Sequence, residues 1–131
     1  GKQMEEVYTD VQENVTAFVG KQSFATKEIQ LFNRILDQRI YEEPEINIHS
    51  GGYVLQTLEA SLWCLFNSGS YKEAVLKAVN LGADTDTTAC VTGGLAGLLY
   101  GYDNIPQSWL KELARRNDIE DLCLRLANGN E

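Results

Sequence analysis

The chain has 131 residues, about the size of one domain, and 44% of them are hydrophobic, which is enough for a single buried core. Acidic residues outnumber basic ones by 19 to 11, which gives a formal net charge of −8 at pH 7. This charge excludes a nucleic-acid-binding module held by a basic surface, because a phosphate backbone would be repelled. The first residues lack the apolar stretch of a signal peptide, so we expect a cytoplasmic protein.

The chain contains 3 cysteines, Cys64, Cys90 and Cys123, which are widely spaced and lie in apolar sequence surroundings. An odd number of cysteines at such spacing favours free thiols over a disulfide framework. We therefore expect buried free thiols in a reducing compartment.

Apolar residues recur at three- and four-residue spacing in the first third of the chain, which is typical of amphipathic helices. The pattern predicts one helix over residues 4–19 and a second over residues 26–40, with Thr26 capping its start. Residues 41–52 lose the periodicity and are predicted to form a loop. Gly51-Gly52 in this loop would permit unusual backbone angles.

The rest of the chain is also predicted to be helical. A helix over residues 53–67 is apolar on most sides, which indicates a central position. Ser70 opens a capping box before the next helix, and two more helices are expected after Pro106 and from Asp118. We predict an all-α, single helical domain of six to seven helices over residues 1–131.

Residues 82–88 read Gly-Ala-Asp-Thr-Asp-Thr-Thr and lead into a helix. Carboxylates two residues apart in a turn, Asp84 and Asp86, can point toward one centre, and a neighbouring hydroxyl adds a third oxygen. Three hard oxygens suit Mg²⁺ or Mn²⁺. The alternative is that these residues only cap the helix, since Asp and Thr are favoured at helix starts without any metal.

Small residues recur every fourth position in the same helix, at Ala89, Gly93, Gly97 and Gly101. A glycine inside a helix costs roughly 1 kcal/mol relative to alanine, so these positions need the close approach of another helix or of a ligand. A transmembrane dimer motif has similar spacing. However, the uncharged run over residues 87–102 is shorter than the roughly 20 residues that span a bilayer, so we expect a buried helix and no membrane contact.

The run Gly-Ala-Asp-Thr-Asp-Thr-Thr-Ala at residues 82–89, followed by Thr-Gly-Gly-Leu-Ala-Gly at 92–97, resembles the C-terminal metal motif of the ADP-ribosylglycohydrolases. Upstream, Ser-Gly-Gly-Tyr-Val at 50–54 and Thr-Leu-Glu-Ala-Ser-Leu-Trp at 57–63 resemble the loop and helix that precede this motif in bacterial members. One departure is Ala83, where many members have a second glycine. A methyl group there should be tolerated, with a shift of the turn.

The resemblance implies an all-helical hydrolase that cleaves the glycosidic bond between ADP-ribose and a modified protein side chain, with two Mg²⁺ ions in the complete site. It implies that Asp84, Asp86 and Thr87 are the metal ligands of this chain, and it assigns no catalytic residue here. Tyr53 would stack on adenine or line the ribose pocket, or it would simply pack at the helix start. The implied substrate contacts are Ser50, Gly51, Gly52 and Tyr53.

The N-terminal Thr-Asp-Asp motif that supplies the other metal ligands in this family has no counterpart in the sequence. The chain is therefore expected to be the C-terminal half of such a hydrolase or a shortened relative, inactive by itself. An apolar face left open would favour a homo-oligomer. Two alternatives stay open: an inactive module that binds ADP-ribose or a nucleotide, and a helical interaction protein in which the glycines form the contact.

The remaining polar and aromatic residues that stand out in the sequence are expected to have structural rather than catalytic roles. His49, beside the glycines, could act in catalysis, and the neighbouring glutamates could supply a general base, but solvated side chains are the favoured interpretation. Trp63 and Trp109 lie on apolar helix faces and are expected in the core. The glutamates concerned are Glu42, Glu43 and Glu45.

Overall fold

The computed structural model describes residues 4–129, and this part of the chain is entirely helical, with no strand. It contains eight α-helices, against the six to seven predicted, and three short 3-10 helices. The α-helices are α1 (Met4–Val19), α2 (Thr26–Gln30), α3 (Asn33–Leu36), α4 (Val54–Phe66), α5 (Tyr71–Asn80), α6 (Thr85–Tyr100), α7 (Gln107–Glu112) and α8 (Arg116–Asn128). The 3-10 helices are Ile40–Glu42, Glu45–Asn47 and Tyr102–Asn104.

The predicted helix over residues 26–40 is wrong as one element, because it is divided at Leu31 and Phe32. The backbone N–H groups of both residues donate to carbonyls three residues back, and Phe32 has φ −96° and ψ 4°, outside the helical region. Thr26 does not cap α2; it is the first helical residue, and Ala25 occupies the cap position. One cavity is nevertheless lined by Ile29, Phe32 and Leu36. The apolar periodicity therefore indicated a shared apolar surface and not a continuous helix.

α4 is the central helix, as its sequence predicted. It packs against α5 and α6 and against the 3-10 helix at Ile40–Glu42. Ala60, Trp63 and Cys64 of α4 are buried in one core cluster with residues from α1, α5 and the loop before α4. The loop is attached to α4 by side chains, since the Trp63 Nε1 donates to the Glu43 carbonyl over 2.8 Å. Trp63 is thus a core residue as expected, whereas Trp109 is only half-buried.

α5 and α6 form the most extensive helix–helix contact of the described residues. The face of α6 that carries the small residue Gly93 packs against α5. A Cβ on Gly93 would lie 3.3 Å from the Tyr71 hydroxyl oxygen and 3.6 Å from the Val75 Cγ2. Gly93 is therefore explained by a neighbour within the chain. None of the helices in residues 4–129 is both long and apolar enough to cross a membrane.

Ser70 begins α5 by accepting a hydrogen bond from the Glu73 backbone N–H over 3.2 Å. The Glu73 carboxylate reaches back one residue further than a capping box requires and accepts from the Gly69 N–H over 2.8 Å. Two orphan donors at the helix start are therefore satisfied.

α1 is docked by one aromatic residue. Tyr8 is buried, packs edge-on against Tyr41 and Phe66, and donates its hydroxyl to the Ile35 carbonyl over 2.9 Å. The remaining apolar residues on α1 that the periodicity singled out are exposed or half-buried. They are Met4, Val7, Val11, Val15 and Phe18.

The expected burial of the thiols is correct for one of them. Cys64 is buried in the core, whereas Cys90 and Cys123 are exposed on α6 and α8. The prediction failed at these two positions because their helices turn one side to solvent there.

Candidate functional site

The backbone reaches Asp84 through two successive residues in the left-handed region. Gly82 has φ 82° and Ala83 has φ 54°. Glycine adopts such angles readily, whereas left-handed backbone costs an alanine about 1–2 kcal/mol. The methyl group of Ala83 is accommodated, although left-handed backbone at this position favours glycine.

Residues 50–53, here called the glycine loop, contact the turn before α6. The Ser50 hydroxyl donates to the Gly82 carbonyl over 2.8 Å, and the Asp84 N–H donates to the Ser50 carbonyl over 2.9 Å. Ser50 is only 4% exposed. Two segments about thirty residues apart in sequence are thus brought together at Asp84.

Close approach explains Gly52, whereas the atoms nearest Gly51 belong to the end of a flexible side chain. A Cβ on Gly52 would lie 3.3 Å from the Asp84 Oδ2, and one on Gly51 would lie 2.6 Å from the Gln56 side-chain oxygen. The expected unusual backbone angles are absent, because neither glycine has a positive φ. A side chain at residue 52 would crowd the Asp84 carboxylate, so glycine keeps the space beside that carboxylate open.

Asp84 occupies the N-cap position of α6, and its carbonyl accepts the first helical hydrogen bond, from the Thr88 N–H over 3.2 Å. The side chain of Thr87, and after it that of Asp86, hold the pKa of Asp84 below its ordinary value. The carboxylate therefore remains ionised at the start of α6, in the form that binds a cation.

The side chains of Asp84, Asp86 and Thr87 fit a magnesium or manganese ion in their chemistry. They offer carboxylate and hydroxyl oxygens within one turn, and Gly52 leaves space beside the Asp84 carboxylate. Mg²⁺ commonly takes one or two protein carboxylates and keeps several waters. Within residues 4–129, no group of three or more His, Cys, Asp or Glu side chains converges on one point, so no larger cluster competes with this turn.

Tyr53 ends the glycine loop and precedes α4. Its side chain is 53% exposed, so it does not pack away at the helix start. Its backbone carbonyl accepts from the Thr57 N–H over 3.1 Å, which fixes the position of the residue. The ring is thus accessible beside Gly52, and its part in ligand binding stays a prediction.

Sequence reasoning missed a buried ion pair next to the loop. Glu59 on α4 is only 7% exposed, and its carboxylate pairs with the Arg34 guanidinium. Burial raises the pKa of Glu59, and the Arg34 charge opposes this rise. Arg34 also donates to the Asn47 carbonyl over 3.1 Å, so the pair connects α3, α4 and the segment that leads to the glycine loop. A single charge within the apolar sequence of α4 was the signal.

Three of the four polar residues near the loop have the expected solvated character, and Glu43 does not. His49 and Glu45 are exposed, and exposed Glu42 pairs with Arg39. Glu43 is half-buried and lies 3.8 Å from an Arg34 nitrogen.

The family model for ADP-ribosylglycohydrolase matches residues 1–131, the whole chain. The chain belongs to the ADP-ribosylglycohydrolase family. It is 45% identical over 85 residues to the ADP-ribosylarginine hydrolase Tri1 of Serratia proteamaculans, a match that covers 65% of this chain and 23% of the relative. It is 35% identical over 89 residues to the ADP-ribosyl-[dinitrogen reductase] glycohydrolase of Rhodospirillum rubrum, a match that covers 67% of this chain and 30% of the relative. It shares 30% identity over 96 residues with the ADP-ribosylhydrolase ARH3 of Danio rerio, a match that covers 65% of this chain and 26% of the relative.

These matches cover about a quarter of the length of each relative. The all-helical fold of the described residues agrees with the family assignment. Membership therefore rests on the whole chain, whereas the activity of the longer relatives is carried to this chain only as a proposal.

Proposed function

We propose that this ADP-ribosylglycohydrolase chain supplies one part of a magnesium-dependent site for hydrolysis of the bond between ADP-ribose and a modified protein side chain. Asp84, Asp86 and Thr87 would hold the metal, Mg²⁺ or Mn²⁺. The observation that carries the proposal is the junction of the glycine loop with the Asp84 turn. There the Gly52 backbone leaves room beside a carboxylate that stays ionised.

The chemistry of the reaction matches what these residues offer. Cleavage of a glycosidic bond to ribose builds positive charge at the anomeric carbon. A bound divalent ion would supply Lewis-acid orientation of the ribose hydroxyls and would offset the negative charges of protein and substrate. Asp84 and Asp86 would hold that ion, the backbone of Gly51 and Gly52 would approach the ligand, and Tyr53 would stack on the adenine or line the ribose pocket.

We further propose that the chain alone binds without turnover. Two carboxylates and one hydroxyl leave several positions of an octahedral ion to water or to other groups. The Thr-Asp-Asp motif expected to complete the site has no counterpart in this sequence. Cleavage of ADP-ribosylated arginine by the purified chain, sensitive to Asp86→Asn, would contradict this part of the proposal.

The binding part is tested by thermal unfolding of the chain with Mg²⁺, with ADP-ribose, and with both. A ligand that binds only the folded state raises the midpoint by mass action, so a site is visible without any knowledge of the reaction. We expect a rise with both ligands together that exceeds the sum of the separate rises, and we expect it to be lost in Asp86→Asn.

The matched control is Asp103→Asn, which removes one negative charge from an exposed residue in the 3-10 helix Tyr102–Asn104. An acidic protein of net charge −8 attracts Mg²⁺ without any specific site, and both variants change that attraction equally. Equal midpoint shifts in the two variants would remove the support for a site at Asp86.

A second candidate is a module that binds ADP-ribose or a nucleotide without taking part in hydrolysis. It is favoured by the Tyr53 ring, which is 53% exposed at the end of the glycine loop and is available to stack on a base whether or not a metal is bound. The two candidates differ when a partner protein that supplies the remaining metal ligands is added: the first predicts turnover, and the second predicts binding alone.

A further inference from the structure

Ser50 makes both hydrogen bonds that connect the glycine loop to the Asp84 turn. Its hydroxyl donates to the Gly82 carbonyl over 2.8 Å, and its carbonyl accepts from the Asp84 N–H over 2.9 Å. The residue is 4% exposed, so its side chain points into the protein and its donor is already used. A hydroxyl in this position has no proton left to donate to a ligand.

The turn that Ser50 contacts needs such support. Its two residues before Asp84 both have left-handed backbone, and one of them is Ala83 with φ 54°. A non-glycine residue persists in this region only where surrounding contacts determine the conformation. A Cβ added at Gly82 would meet nothing within 4 Å, so packing around that residue does not provide the constraint.

Asp86 and Thr87 lie within α6, whereas Asp84 precedes the first helical residue. The Asp84 carbonyl accepts the first helical hydrogen bond, whereas its N–H is held from the other side by the Ser50 carbonyl. A relaxation at Ala83 would loosen this attachment of Asp84 to the glycine loop.

We propose that Ser50 is a positioning residue, whose hydroxyl holds the left-handed turn so that the Asp84 carboxylate meets Asp86 and Thr87. Its role is thus to shape the metal site rather than to contact the substrate. The inference rests on the proposed function for its consequence, but its structural part is independent of any metal.

The first measurement is amide hydrogen exchange at Asp84, followed by NMR in metal-free protein. Ser50→Ala removes the bond to Gly82, and the protection of the Asp84 amide should fall on the order of tenfold, the effect of one ordinary hydrogen bond. Ala83→Gly acts on the same turn in the opposite direction, because glycine adopts the left-handed conformation without strain. Protection at Asp84 should then rise severalfold.

The matched control is Ser61→Ala. Ser61 is also buried and also donates to a backbone carbonyl, that of Thr88 over 3.3 Å, but this hydrogen bond goes to α6 itself and not to residues 82–84. Ser61→Ala should leave the protection of the Asp84 amide unchanged, even if both serine variants lower the unfolding temperature.

The second measurement is the affinity for Mn²⁺, followed by electron paramagnetic resonance. Ser50→Ala should weaken binding about tenfold by the same reasoning, and Ser61→Ala should not. Unchanged exchange at Asp84 in both Ser50→Ala and Ala83→Gly would overturn the proposal, as would a loss of ADP-ribose binding in Ser50→Ala with unchanged Mn²⁺ affinity. If the unaltered chain binds no Mn²⁺, the proposed function fails, while the exchange result still decides the role of Ser50.

Discussion

The Thr88 hydroxyl lies in the contact between α4 and α6 with no exposed surface and no hydrogen-bond partner. Leaving a buried donor unpaired costs about 1–3 kcal/mol, whereas an apolar group of the same shape avoids this cost. We therefore expect Thr88→Val to raise the free energy of unfolding by about 1 kcal/mol. Chemical denaturation with urea measures the change.

Thr92→Val is the control for this prediction, because the Thr92 hydroxyl is equally buried but donates to the Thr88 carbonyl over 2.8 Å. Removing a satisfied hydroxyl should lower the free energy of unfolding by about 1 kcal/mol. The opposite signs follow from hydrogen bonding alone, since size and burial are matched. Destabilisation by both substitutions would show that Thr88 has a partner after all.

The thiols differ in reactivity because only one is buried. Cys64 has no exposed surface, and burial raises its pKa to about 12. The thiolate is the reactive form, so Cys64 should remain unreactive as the pH rises from 7 to 9. Two of the three thiols, the exposed Cys90 and Cys123, should react with Ellman's reagent in the native protein.

Cys64→Ala serves as the control for thiol counting. It should reduce the total measured in denaturant from three to two and leave the fast reaction of the native protein unchanged. Three fast thiols in the native chain would mean that the core around α4 opens readily.

At the level of helices, the contact between α5 and α6 depends on one side of α6. Gly93 faces Tyr71 and Val75, whereas its neighbour Gly94 is exposed, with nothing within 4 Å of an added Cβ. Gly93→Leu should lower the free energy of unfolding by about 1–3 kcal/mol, because α5 leaves no room for the side chain. Gly94→Leu should raise it by up to about 1 kcal/mol, because leucine is the better helix former.

Both substitutions are compared by urea unfolding, and the chemical change is the same in each. The difference between them isolates the position on the helix. Equal effects would mean that α6 does not depend on close contact with α5.

The helices themselves were largely predictable, because apolar periodicity and caps are local. Ser70 caps α5 as its sequence indicated, and α4 is buried as its apolar residues required. The division between α2 and α3 was not predictable, since Ile29, Phe32 and Leu36 share a cavity across the break and keep the helical period.

The candidate site was predictable only as a set of residue types. The motif over residues 82–88 indicated oxygen ligands, and Gly51-Gly52 indicated unusual backbone angles that are absent, but neither showed which atoms meet. The bond from Ser50 to Gly82 joins residues 32 positions apart, and the Arg34–Glu59 pair joins residues 25 apart. Such partners depend on how the helices pack, which local sequence patterns do not specify.

On the scale of the whole molecule, one broad apolar groove is left uncovered in the described residues. It has a volume of about 570 Å³ and is lined almost entirely by apolar side chains of α1, α3, α4 and α6, with Phe32 between α2 and α3. Leu98 stands at its edge with 88% of its surface exposed. Contiguous apolar surface of this kind tends to be covered by another molecule.

We expect the isolated chain to self-associate through this groove, as the sequence already suggested for an open apolar face. Leu98→Lys places a charge where a second copy would have to desolvate it, so the associated fraction should fall severalfold. Ile46→Lys is the matched control: Ile46 is 86% exposed and does not line the groove, so the same gain of charge should leave association unchanged.

Sedimentation velocity over a range of concentrations separates these outcomes. A wild-type chain that stays monomeric at high concentration would contradict the expectation, because the groove would then be exposed to solvent. Equal loss of association in both variants would attribute it to net charge instead, since each substitution moves the formal charge of −8 by the same single unit.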